Sequence, residues 1–235
     1  MTLPTETKPS SPNPPSPTPA VLMIPEPCSK CLKPPTLCIC DEIVALETKL
    51  QVLILQHPQE PDKDLGTARI TQLALPNSVL KIGLSWRNLS AVLGREADPK
   101  RWAVLHLGSG LKTPSPHEPG IHLVDKKSAP VPEEKKILRS LEGIVILDGT
   151  WSQAKTLWWR NAWLLKLRRA ILVPNANSLY KELRREPRKE CLSTIESVAQ
   201  SLTFLNEPPQ TSAGLLKLFQ SLLEKQRARL KARKR

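Results

Sequence analysis

Asp148 ends an apolar run, GIVILD, and a tryptophan-rich segment follows it directly. Residues 145–163, VILDGTWSQAKTLWWRNAW, hold four of the six tryptophans in a chain with 4% aromatic residues. A carboxylate where a buried strand emerges can do direct chemistry. Thr150 and Gln153 also have the T-x-x-Q spacing of a helix capping box, in which Thr150 is a cap and Asp148 only favours the helix N-terminus. STIE, residues 193–196, is a second such box, so Ser193 and Glu196 carry the same two readings. Both readings stay open on local physics alone.

The second chemical cluster is CSKCLKPPTLCIC, with cysteines at 28, 31, 38 and 40. The spacing C-x2-C-x6-C-x-C lets four thiolates surround one Zn²⁺ tetrahedrally, with Pro34-Pro35 as a stiff turn between the halves. Lys30 and Lys33 offset the charge of a tetrathiolate. Without His or aromatic companions the site reads as structural, not as a DNA-reading finger. Cys191 stands alone and reads as a packing residue.

These groups need elements to position them. Residues 1–27 contain nine prolines and predict a disordered arm that buries no core. LQVLILQ predicts a strand over 50–56, ended by His-Pro. GTARITQLALPN predicts a short helix stopped at Pro76. RWAVLHLGSG predicts a second strand, and the five prolines of 111–132 predict a long loop or lid. GIVILDGT is continuous and apolar, as in a parallel strand buried on both faces. A helix through WSQAKTLWWRNAWLLKL, a strand RAILVPN and two helices, TIESVAQSLTFLN and GLLKLFQSLLEKQRARLK, complete the pattern. Strands alternating with helices predict a doubly wound α/β domain, which binds ligands beyond the C-terminal strand ends. The boundaries read as arm 1–27, cysteine segment 28–40, main domain 41–210 and an amphipathic C-terminal helix with a basic tail, 211–235.

The net charge of +13 points to a polyanion. Residues 160–190 carry nine Lys/Arg against three Glu, and the last eleven residues carry seven cations and no anion. On a helical wheel Trp151, Trp158 and Trp159 fall within roughly 100°, and Trp163 widens the stripe to about 140°. Such a stripe faces a core, or stacks bases of single-stranded or looped RNA beside Arg160, Lys166, Arg168 and Arg169. No run of eighteen apolar residues predicts a membrane span, and the N-terminus lacks the basic start and apolar stretch of a secretory signal. A cytoplasmic protein is expected.

CSKCLKPPTLCIC, LQHPQE, LDGTWSQAKTL and LRREPRKECLSTIESVA, in this order, resemble the DTW-domain family of tRNA-uridine aminocarboxypropyltransferases. The D-x-T-W signature is Asp148-Gly149-Thr150-Trp151. The resemblance implies a SPOUT-like knotted α/β core. It also implies transfer of the 3-amino-3-carboxypropyl group of S-adenosyl-L-methionine (SAM) to N3 of a tRNA uridine, giving acp3U and methylthioadenosine. The partner is then tRNA, with no membrane and no obligate protein partner evident.

On that reading Asp148 is the base for uridine N3, with Thr150 and Trp151 beside it in the catalytic segment. Glu196 would bind the α-ammonium of the transferred group. Ser193 and Thr194 would bind its carboxylate at a helix start. Arg184 and Arg185 would hold that carboxylate or a tRNA phosphate. Leu105, Leu107 and Gly108 would wrap the adenosine. His57 and Glu60 would close the strand beside the substrate, and Arg160 would face tRNA. Two rivals remain: a SPOUT-type RNA methyltransferase, and a non-catalytic zinc-containing RNA-binding protein.

Overall fold

The computed structural model describes residues 26–61, 63–105, 118–180, 183 and 192–232. The Pro-rich arm to residue 25, Leu107, Gly108, Arg184, Arg185 and Cys191 lie outside them.

Alternation within two apolar strands builds the centre of the molecule. In β1 (Gln51–Gln56), Val52 and Ile54 point to one face of the sheet, and Leu53 and Leu55 to the other. In β5 (Gly143–Asp148), Ile144 and Ile146 join the first face, and Val145 and Leu147 the second. Both faces are covered, so the interior of each strand, residues 52–55 and 144–147, is apolar without a break. The remaining strands are β2 (Ser78–Ile82), β3 (Trp102–Leu105), β4 (Gly120–Val124) and β6 (Arg168–Val173). They form one sheet in the order β2-β1-β5-β3-β6-β4, parallel except for the β4–β6 pair. Gly143 lies opposite Trp102, and a Cβ there would come 2.5 Å from the indole, so a side chain would push β3 off β5.

The first face carries α1 (Ala68–Ala74), α5 (Thr194–Phe204) and α6 (Pro209–Ala232). Leu37 and Ile39 of the cysteine segment sit in the same apolar cluster, which makes that segment part of this core. The predicted α6 stripe holds: Leu215, Leu218, Phe219 and Leu222 are all buried. The second face carries α2 (Leu89–Leu93) and α4 (Trp151–Arg160). A short α3 (Glu134–Arg139) precedes β5.

Three sequence expectations are corrected. The helix predicted from Trp151 to Leu167 stops at Arg160 and continues as a 3-10 turn, Ala162–Lys166. Fully buried Asn161 breaks it: its amide donates to the Leu157 and Leu84 carbonyls and accepts from the Trp86 and Trp163 N–H groups. The tryptophan stripe divides there, with Trp163 buried and Trp159 78% exposed. Within the predicted loop of 111–132 lies β4, an edge strand tolerant of flanking prolines. At the opposite edge β2 went unpredicted, because a half-exposed strand lacks the apolar run of a central one.

Candidate active site and metal centre

Register places Gln56 beside Asp148 at the C-terminal ends of β1 and β5. The Gln56 side-chain amide is buried and donates to Asp148 Oδ2 at 2.8 Å. From the first turn of α5, the Thr194 hydroxyl donates to Asp148 Oδ1. The His57 N–H donates to the Asp148 carbonyl at 3.0 Å, which extends the pairing of the strands past the sheet edge. Two donors thus fix the carboxylate in orientation.

Both capping boxes form. The Gln153 side chain accepts from Thr150 N at 2.6 Å, and Thr150 Oγ1 accepts from Gln153 N at 3.4 Å. Gly149 makes the tight turn between Asp148 and this cap: a Cβ there would lie 2.8 Å from Gln153 Cβ. Gln153 Nε2 also donates to Gln59 Oε1 at 3.2 Å, tying the start of α4 to the loop after β1. Trp151 is the first residue of α4 and is half-buried. Exposed Arg160 lies at the far end of that helix, about 14 Å away along its axis.

The second box does more than cap α5. Glu196 is 2% exposed and its carboxylate accepts four hydrogen bonds. They come from Ser178 Oγ (2.9 Å), Leu179 N (2.6 Å), Ser193 N (2.8 Å) and Ser193 Oγ (2.7 Å). It therefore ties residues 178–179, after β6, to the helix start that carries Thr194. The Ile195 N–H donates to Thr67 Oγ1, and the Glu196 N–H to Ser193 Oγ, so both are already engaged. Leu105 is buried at the end of β3, along the same sheet edge.

The loop after β1 bridges site and cysteine cluster. Glu60 is buried and pairs with Lys63 at 2.8 Å. The Lys63 carbonyl accepts from Gly66 N at 2.9 Å and from Lys33 Nζ at 2.7 Å. Lys33 is 3% exposed, and burial pulls its ammonium down to about 8 against the opposing pull of Cys31, Asp64 and Asp148. Sequence reading placed Lys33 as a counter-charge to the thiolates and overlooked Gln56. A buried glutamine closing an otherwise apolar strand is the signal that could have found it.

The four cysteine sulfurs lie within 4.8 Å of one another, with Cys28–Cys40 at 3.7 Å and Cys31–Cys38 at 3.8 Å. Four ligands at about 2.3 Å from a tetrahedral zinc stand about 3.8 Å apart, so the set fits this ion. Backbone N–H groups of Cys31 and Lys30 lower the Cys28 thiol to about 6, while burial raises Cys31 and Cys40. Clustered thiols with such opposed tendencies need a cation before all can ionise. With four thiolates the shell would be closed, which suits a structural site.

A family model described as DTW domain matches residues 25–227. The chain belongs to the DTW-domain family. This DTW-family chain is 28% identical over 198 residues to tRNA-uridine aminocarboxypropyltransferase 2 of Macaca fascicularis, covering 83% of itself and 61% of that protein. Its similarity to the Drosophila melanogaster protein of the same name is 30% over 205 residues, with coverages of 85% and 74%. With tRNA-uridine aminocarboxypropyltransferase A of Arabidopsis thaliana it shares 26% identity over 193 residues, covering 74% and 70%. The chain thus spans about three fifths of the macaque relative. No solved structure gives a significant match. Among the described residues no helix is long and apolar enough to cross a membrane.

Proposed function

We propose that this DTW-family chain is a tRNA-uridine aminocarboxypropyltransferase that moves the 3-amino-3-carboxypropyl group of SAM to N3 of a tRNA uridine. The observation that carries the reading is the Asp148 carboxylate. It is held by Gln56 and Thr194 at the C-terminal end of a central parallel strand, where such sheets bind their ligands. The names of its relatives and the excess of cations support the same substrate.

Uridine N3 is a weak nucleophile while protonated. Asp148 accepts that proton as the N3–Cγ bond forms and the Cγ–S bond breaks. The sulfonium of SAM supplies a neutral leaving group, methylthioadenosine. Gln56 and Thr194 aim the base, and Glu196 acts behind them by holding the start of α5. Trp151 walls the pocket. His57 and Glu60 close it from the loop after β1. Leu105, with Leu107 and Gly108 beyond it, borders the adenosine. Arg160 meets tRNA phosphates, and Arg184 and Arg185 hold a tRNA phosphate or the carboxylate of the transferred group. Zinc in the cysteine cluster braces the segment that delivers Lys33. We also propose a SPOUT-like knotted core. The parallel β1–β5–β3 centre supports it, as does the reach of the segment after β6 back to Leu65, whose carbonyl accepts from Tyr180 Oη at 2.9 Å.

The test is incubation of purified protein with SAM and unmodified tRNA, followed by mass spectrometry of nucleosides and small-molecule products. The expected pair is acp3U and methylthioadenosine. Methylated uridine with S-adenosylhomocysteine would replace this reading with methyl transfer, and no turnover at all would leave RNA binding alone.

A further inference from the structure

A narrow cleft opens between the cysteine segment and the ends of β1 and β2. Its polar lining consists of Lys33, Gln56, Glu60 and Arg69, with Leu80 and Ile82 among the apolar walls. Gln56 is the residue that holds Asp148, so the cleft adjoins the proposed base through one side chain. Two features of it are costly as they stand. Arg69 Nε is buried and has no hydrogen-bond partner among the described residues. Lys33 is almost wholly buried and spends one of its three donors on the Lys63 carbonyl, with no further partner for the others among the described residues. A buried cation with unfilled donors is unfavourable unless an anion completes it. Gly66 borders the cleft, where a Cβ would stand 3.2 Å from the Lys63 carbonyl oxygen and 3.7 Å from Lys33 Nζ; the free volume is about 10 Å³, so the lining side chains must part to admit a carboxylate.

We propose that Lys33 and Arg69 form a subsite for the α-carboxylate of an amino-acid group. This rests on the transferase reading above and names the residues that grip the transferred moiety. A planar guanidinium beside an ammonium suits a carboxylate. Glu60, on the same wall, is already paired with Lys63 at 2.8 Å, so the charge left to be met in the cleft is that of the two cations. A backbone phosphate of RNA fits less well, because a polymer cannot follow its phosphate to a lysine that is 3% exposed. The two cations would anchor one end of the group and leave its γ-carbon to face the base.

Equilibrium binding of SAM and of decarboxylated SAM, which lacks only this carboxylate, tests the subsite on the zinc-loaded protein. The wild type should favour SAM by about ten- to a hundredfold, the range of a lost charge-assisted contact. Arg69→Gln should lose most of that preference while keeping its affinity for the decarboxylated compound. Lys33→Met should do the same, and it stands in if Arg69→Gln melts early. Equal wild-type affinity for the two compounds overturns the subsite and leaves the donor reading standing. If neither compound binds, the donor reading falls and the subsite with it. If the variants keep the preference for SAM but weaken tRNA binding, the cations serve phosphate and the proposal is wrong.

Discussion

Asp148 and Glu196 are both carboxylates beside a capping box, yet their surroundings assign them different work. Asp148 is half-buried where its strand ends; Glu196 is enclosed and saturated with donors. Asp148→Asn preserves shape but removes the proton acceptor. Single-turnover rates of acp3U formation should fall by roughly 10²–10⁴-fold at neutral pH, with folding and tRNA binding retained. A stable variant with near-normal turnover would remove Asp148 from the chemistry. Glu196→Ala instead strands the hydroxyls and N–H groups of Ser178, Leu179 and Ser193 away from water. It should cost on the order of 3 kcal/mol or more, read as a lower urea midpoint, because each buried donor left unpaired is expensive. The sequence made the capping spacing of both residues legible. It could not tell them apart, because the partners of Glu196 at 178–179 are remote in the chain and meet it only once β6 has docked.

At the scale of elements, what was legible followed local pattern. The central strands announced themselves by unbroken apolar runs, and α6 by its stripe. Edge strands β2 and β4 gave no such signal, since one side of each meets solvent or loop. The end of α4 was hidden because Asn161 breaks it through contacts with Leu84 and Trp86, some 75 residues earlier in the chain. Helix α6 also revised the picture of the basic tail. Lys225 bonds the Cys38 carbonyl and pairs with Glu42 at 3.8 Å, and Arg229 pairs with Asp64 at 2.6 Å. These cations belong to the fold, whereas Lys231 follows them at the helix end. Removing residues 231–235 should raise the KM for tRNA and flatten its salt dependence, with kcat nearly unchanged. Removing 225–235 should in addition lower the melting temperature. Equal melting of the two truncations would show that the Lys225 and Arg229 contacts contribute nothing.

For the whole molecule, the cysteine segment, the loop after β1 and α6 form one connected corner. Leu37 and Ile39 share the core that α6 covers, Lys33 reaches the loop and Arg229 closes it from the far side. Metal should therefore brace more than its own ligands. Cys28→Ser, or treatment of the wild type with a strong chelator, should lower bound zinc and melting temperature together and weaken SAM binding through the displaced Lys33. Metal analysis, thermal melting and binding on one preparation check this, and a zinc-free protein that melts normally would contradict it. The strand order has a consequence for biosynthesis. β5 lies between β1 and β3 yet leaves the ribosome after both, and the core beside the first described residues is closed by the last helix. A growing chain can template neither the central sheet nor the proposed base until β5 arrives, and it cannot seal the metal corner until α6 is clear of the exit tunnel. Non-local parallel pairing of this kind is slow to form and leaves apolar strands uncovered while it waits. The nascent protein should therefore lean on chaperones while these strands wait, and acquire zinc, core and activity nearly together once α6 has emerged.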